Sequence, residues 1–276
     1  METSSHGPAV LGRVASSLAN PVRVAAELGV ELAATAVCAV RYPLGLVEGA
    51  VTTGRPTGRP DHDTPVLLVH GYGHNRSGWW VLDRHLRQAG FTSVHRLNYL
   101  PLNTGVPALA GRLARRVDEV LALTGAQRVH VVAHSLGGIL LRWYVQELGG
   151  DRHVGTALTL GTPHEGTATA HLAVERTARQ LRPGSPVMAR LAAGARPSSV
   201  RWVAVYSDAD LLVWPTSAAG LRVPGLGATN VELHGVGHLS MLIDARVVAV
   251  VTAELEAAEG ASGYLPGLAR TRLTGG

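Results

Sequence analysis

The sequence contains no lysine; all 25 of its basic residues are arginine. They are scattered, with Arg115-Arg116 the only adjacent pair, so the formal charge of +5 is not gathered into a patch. A nucleic-acid partner would need such a patch, and none is expected. The single cysteine, Cys38, excludes an intramolecular disulfide framework and a multi-cysteine zinc site. Charged residues are 16% of the chain against 46% hydrophobic, which argues against a mainly disordered chain. Long apolar runs are also missing. The best stretch, Gly29 to Ala50, carries Glu31, Arg41 and Glu48 and is interrupted by Pro43. Its longest uncharged part, Leu32 to Val40, falls well short of the roughly 20 residues that cross a bilayer. Residues 1–20 hold one arginine and no sustained apolar run. No secretory signal is read there, and a cytoplasmic location is expected.

The 276 residues divide by composition. Residues 1–51 form an N-terminal extension, 52–64 a Gly-, Pro- and Asp-rich linker, 65–259 the main domain, and 260–276 a tail. Asn20-Pro21 is a helix start with proline at the first helical position, and a helix is predicted over 21–41. Val22, Val24, Ala25, Leu28, Val30, Leu32 and Val37 cannot all face water cheaply. They either dock on the following domain or make peripheral contact with a membrane. Docking is the expectation, because Glu27, Glu31 and Glu48 would be repelled by anionic headgroups. Residues 1–50 are expected to be dispensable for chemistry, since every candidate site residue follows residue 69.

After the linker, apolar runs alternate with helical patterns. Val66–Val69, Val94–Asn98, Val129–Ala133, Ala157–Leu160, Val200–Tyr206 and Val231–Leu233 read as strands. Trp79–Gln88, Pro107–Leu123, Leu136–Leu148 and Leu239–Glu259 read as helices. This alternation implies a mostly parallel sheet flanked by helices.

Ala133-His134-Ser135-Leu136-Gly137-Gly138 sits between a strand and a helix, where a serine nucleophile stands on a sharp turn. The turn strains the serine backbone, so the residues two positions to either side must be small; Ala133 and Gly137 are. A serine hydroxyl needs a base, and the base an orienting acid. Both follow in the order Ser, Asp, His. One strand runs into Ser207-Asp208-Ala209-Asp210, the next into His234-Gly235-Val236-Gly237-His238. Loops at the carboxyl ends of parallel strands share a crevice, so Ser135, Asp208 or Asp210, and His234 or His238 can converge. His238, beside Gly237, is expected to be the more mobile and exposed of the two histidines. An oxyanion needs two N–H donors. Leu136 N–H, directly after the serine, is one. Tyr72 N–H, in the His70-Gly71-Tyr72-Gly73 loop after the first strand, is the other.

These motifs resemble the α/β-hydrolase lipases and esterases, and among them the small bacterial, actinobacterial-type lipases. The matching segments are PVLLVHGYGHN at 65–75, VHVVAHSLGG at 129–138, LTLGTPHEGT at 158–167, YSDADLLVWP at 206–215 and HGVGHLSML at 234–242. The resemblance covers roughly 64–258. It implies an α/β-hydrolase fold, His238 as base and Asp210 as acid, with Asp208 the second choice. It also implies serine-dependent cleavage of carboxylic esters through an acyl-enzyme, on a small-molecule or lipid ester. No acidic or Cys/His cluster at ligand spacing calls for a metal, and no cofactor is expected. Residues 164–199, long for a connection, read as short helices forming a cap beside the site. Trp79, Trp80, Trp214 and Leu239 are candidates to line an acyl pocket. The alternatives are a silent scaffold that binds lipid or a partner, and an acyltransferase in which another alcohol replaces water.

Overall fold

A computed structural model describes residues 21–46 and 62–263; the linker over 52–61 and the tail beyond 263 lie outside the described residues. Six strands form one sheet: β1 (Val66–Val69), β2 (Val94–Leu97), β3 (Val129–His134), β4 (Val154–Leu160), β5 (Arg201–Ser207) and β6 (Thr229–Leu233). Their order is β2-β1-β3-β4-β5-β6, and every neighbouring pair is parallel. The β-branched and leucine residues of β1 and β3 suit strands covered on both faces.

The helices are α1 (Pro21–Arg41), α2 (Trp80–Gln88), α3 (Val106–Thr124), α4 (Leu136–Glu147), α5 (Arg176–Arg179), α6 (Pro186–Ala193) and α7 (Ala245–Gly263). Successive strand residues point to opposite faces. Leu67 and Val69 therefore pack with Leu109, Leu113 and Val117 of α3 and with Ile139 and Leu140 of α4. Val66 and Leu68 face the other way, onto Leu82 and Leu86 of α2 and Val247, Val251 and Leu255 of α7. The chain steps from β1 out to β2 and then back across β1 to β3. That reversal makes a crevice at the carboxyl ends of β1 and β3, and β1 and β3 lead into the His70–Gly73 loop and Ser135.

The last helix begins at Ala245 rather than Leu239. Asp244 caps it, its Oδ1 accepting from Arg246 N–H at 2.8 Å, as an N-cap aspartate does. Ser240–Leu242 instead forms a 3-10 turn, which leaves His238 in the loop before it.

The helix over Pro21–Arg41 contacts the main domain, but not through the face expected to be buried. Among its described side chains the buried ones are Ala34 and Cys38. Ala25, Leu28, Val30, Leu32 and Val37 are exposed, Leu32 at 70%.

Candidate active site

Ser135 joins β3 to α4 with φ 53° and ψ −123°, a strained conformation for a residue with a side chain. The strain is held by close packing around the turn. A Cβ on Gly137 would come within 2.6 Å of the Val69 carbonyl oxygen and 2.7 Å of that of His70. A Cβ on Gly71 would lie 2.8 Å from Ser135 Cβ. Both positions therefore need glycine, and their lack of side chains presses the loop after β1 against the serine turn.

Two Asp–His pairs stand side by side. His238 Nδ1 lies 2.7 Å from Asp210 Oδ2, with Asp210 fully buried and His238 4% exposed. A carboxylate only accepts, so Nδ1–H donates and Nε2 of the neutral ring is left as an acceptor. Asp210 Oδ1 accepts from the N–H groups of Leu212 at 2.8 Å and Val213 at 3.0 Å, which fixes the carboxylate. Burial disfavours the charged imidazolium. The charge and hydrogen bond of Asp210, with a further contribution from Glu31, outweigh it and raise the His238 pKa. Asp208 instead pairs with His234 at 2.9 Å, where the His234 side chain is 70% exposed. The expectation that His238 would be the more exposed histidine is reversed: it is packed under α1 and against His134, while His234 faces solvent.

Ser135 and His238 line one cavity of about 610 Å³, together with Tyr72 and Gly73 from the loop after β1. Leu136 N–H is the first of α4 and has no acceptor within its own helix. The peptide between Gly71 and Tyr72 is oriented by a residue that motif reading left unassigned. Tyr99 N–H donates to His70 Nε2 at 3.2 Å, so His70 Nδ1–H donates to the Gly71 carbonyl at 2.9 Å. The His70 ring is stacked on Tyr99 with centroids 4.1 Å apart, and burial lowers its pKa to about 4. In a planar trans peptide the N–H points opposite the carbonyl, so turning the Gly71 carbonyl toward His70 turns the Tyr72 N–H away from it.

Other contributors were also silent in the motifs. His134 Nε2–H donates to the His238 carbonyl at 3.0 Å. Burial, with the neighbouring His238, holds the His134 pKa well below the usual imidazole value. Gly161, at φ 52°, leaves room that a Cβ would take from Asp210 Oδ2 at 3.0 Å. Glu31 of α1 reaches the residues just after His238, and Thr35, Cys38, Ala39, Tyr42 and Pro43 line the cavity. The segment expected to be dispensable for chemistry thus lies against the site.

The 164–199 segment folds as a 3-10 turn (Ala168–Leu172), α5 and α6. Thr167, Thr169, Ala170, Ala173, Ala178 and Leu181 from it line the cavity. Of the four acyl-pocket candidates, Leu239 lines the cavity. Trp79 is instead buried with the α2–α7 core, Trp80 lies under the Arg41 guanidinium at 4.6 Å, and Trp214 is 45% exposed.

A parallel sheet with a serine at the β3–α4 turn and an Asp–His pair beyond it is the architecture of the α/β-hydrolase fold. Residues 64–185 match the family described as the alpha/beta hydrolase fold. The chain is 32% identical over 113 residues to a triacylglycerol lipase of Pseudarthrobacter phenanthrenivorans, covering 38% of this chain and 35% of that one. It is also 32% identical over 113 residues to a triacylglycerol lipase of Burkholderia plantarii, covering 38% and 31%. It thus spans about a third of the length of these relatives. In structure it is similar to a mature Bacillus licheniformis lipase, with a TM-score of 0.62 at 19% identity over 73% of this chain and 96% of that one. An Aspergillus fumigatus lipase gives a TM-score of 0.63 at 20% identity over 76% and 57%. At such identities the likeness is one of fold.

Proposed function

We propose that the protein is a serine hydrolase of carboxylic esters, with Ser135 as nucleophile, His238 as base and Asp210 as the acid that orients it. The observation that carries this reading is the buried Asp210–His238 pair opening onto the same cavity as a strained Ser135. Ser135 Oγ attacks the ester carbonyl carbon as its proton passes to His238 Nε2. The negative oxygen is met by the N–H groups of Tyr72 and Leu136. The intermediate collapses, the C–O bond to the alcohol breaks, and His238 Nε2–H protonates the departing oxygen. Water, giving its proton to His238, then attacks the acyl-enzyme. The carboxylic acid leaves and Ser135 takes its proton back.

The substrate class is an acyl ester of lipid type. The similarity to triacylglycerol lipases supports this. So do the apolar walls that Ala170, Ala173, Leu181, Leu212, Val213 and Leu239 give the cavity. No helix among the described residues is long and apolar enough to cross a membrane, so contact with a lipid surface would be peripheral. A fluorophosphonate probe tests the reading. Covalent labelling of Ser135 in the wild type, absent in Ser135→Ala, is expected; an unlabelled wild type would overturn it.

A further inference from the structure

Of the contacts that hold the segment carrying His238, three sets lie at His238 itself and the two residues after it. Asp210 takes the imidazole Nδ1–H. His134 donates to the His238 carbonyl. The third comes from α1, more than 200 residues earlier in the chain: Glu31 Oε1 accepts from Leu239 N–H at 2.7 Å, and Oε2 accepts from Ser240 N–H at 3.0 Å and Ser240 Oγ–H at 2.6 Å. One carboxylate thus collects three donors from the two residues directly after His238. The approach is close enough that a Cβ on Gly237 would collide with the Glu31 carboxylate.

The docked side of α1 explains why the contact is made this way. Glu31, Ala34, Thr35 and Cys38 share one face by their spacing, and that face meets the cavity and the loop. The larger apolar residues Leu28, Val30, Leu32 and Val40 are left in solvent. A helix attached only to bury apolar area would dock the other way round. Beside the small buried Ala34 and Cys38, this face sets a carboxylate on backbone donors next to the base.

We propose that Glu31 is a positioning residue for His238: it holds the loop that sets the imidazole against Ser135, and it adds a negative charge beside the ring. The proposal rests on the acyl-transfer reading above. The ionisable groups that act on the His238 ring are Asp210 from the loop after β5, Glu31 from α1 and His134 from the end of β3. His134 is buried and its pKa is held well below the usual value, so Asp210 and Glu31 are the charges that favour the imidazolium.

The test uses the full chain. Glu31→Gln keeps the shape and one acceptor oxygen but removes the charge; Glu31→Ala removes both. The base works as neutral imidazole, so kcat/KM on a soluble p-nitrophenyl ester falls as pH drops through the His238 pKa. Without Glu31 that pKa is lower, so the acid limb moves to lower pH in both variants. Loss of charge-assisted hydrogen bonds to the loop lowers the plateau as well, by roughly tenfold for Glu31→Gln and more for Glu31→Ala. The imidazole titration of His238, followed by NMR, moves down in step and does not depend on turnover. An unmoved His238 titration and acid limb in Glu31→Gln would overturn the proposal. So would a fall in plateau that only tracks a lower Tm, which marks Glu31 as an anchor for α1. If Glu31→Ala does not fold, Glu31→Gln carries the comparison. A wild type that neither hydrolyses esters nor labels at Ser135 is a failure of the acyl-transfer reading instead, and the NMR titration still decides the role of Glu31.

Discussion

Two aspartates, two residues apart, each hold a histidine, and burial separates their roles. Asp210 is fully buried and its second oxygen is tied to two backbone N–H groups; Asp208 and His234 sit toward solvent. In the proposed mechanism only Asp210 sets the tautomer of the working imidazole. Asp210→Asn should therefore lower kcat by roughly 10⁴-fold, as loss of a triad acid does. Asp208→Asn should stay within a few-fold of wild type, and steady-state kinetics on one ester reads both. Ser135→Ala should cost roughly 10⁶ in kcat with an unchanged circular dichroism spectrum. Strand-to-loop transitions point in the sequence to Ser135, to one of Asp208 and Asp210 and to one of His234 and His238, and only the resemblance to lipases singles out Asp210 and His238 among them. His70, His134 and Glu31 could not be named in this way. Their parts depend on which backbone carbonyl or N–H lies opposite, and a local pattern does not encode that.

Among the elements, strands and long helices follow the apolar pattern closely, because burial on both faces of the sheet leaves a continuous signal at β1 and β3. Boundaries drift where a polar contact decides them, as at α7, which waits for the Asp244 cap. The docking of α1 agrees with the expectation but its docked face does not, because that face carries small residues and a carboxylate on backbone donors, which leave no strong hydrophobic periodicity. The segment between β4 and β5 is likewise held by polar contacts. Arg142 of α4 is fully buried and donates to the carbonyls of His164 at 2.7 Å and Leu191 at 3.0 Å. Burial lowers its pKa to about 10, against the pull of Glu165, so it remains a cation at neutral pH. Arg142→Leu strands the His164 carbonyl without its donor and should destabilise the protein by about 3 kcal/mol, measured by urea unfolding. The same variant should loosen the wall formed by Thr167–Leu181 and raise KM more than it lowers kcat.

For the molecule as a whole, buried neutral histidines set an acid limit. His70 takes a proton in the unfolded chain near the ordinary value of 6.5, but in the folded protein only near about 4. Between these values the unfolded state binds more protons, so stability falls as pH falls through that window, by about 3 kcal/mol for this residue. His134 and His164 are shifted in the same direction by burial. Urea midpoints should drop steadily from pH 6.5 to 4, and His70→Gln should flatten the slope. The outer surface sets a second whole-molecule property. Several exposed apolar side chains stand next in sequence to residues that line the cavity. Leu172 and Val174 flank Ala173, Leu211 precedes Leu212, and Val40 follows Ala39. On each of these three segments a cavity-lining residue is thus followed or preceded by an exposed apolar one, and exposed apolar side chains of this kind are candidates to meet a lipid surface. Paired Leu172→Asp and Val174→Asp changes lie at exposed positions, outside the proposed catalytic groups. They should leave hydrolysis of a short, monomeric p-nitrophenyl ester within twofold of wild type. On a long-chain ester above its micelle concentration, or in zwitterionic vesicles, the same variant should lose roughly tenfold, because two charges must be desolvated at the interface. Equal losses on both substrates would mean that this segment shapes the cavity and does not meet the lipid surface.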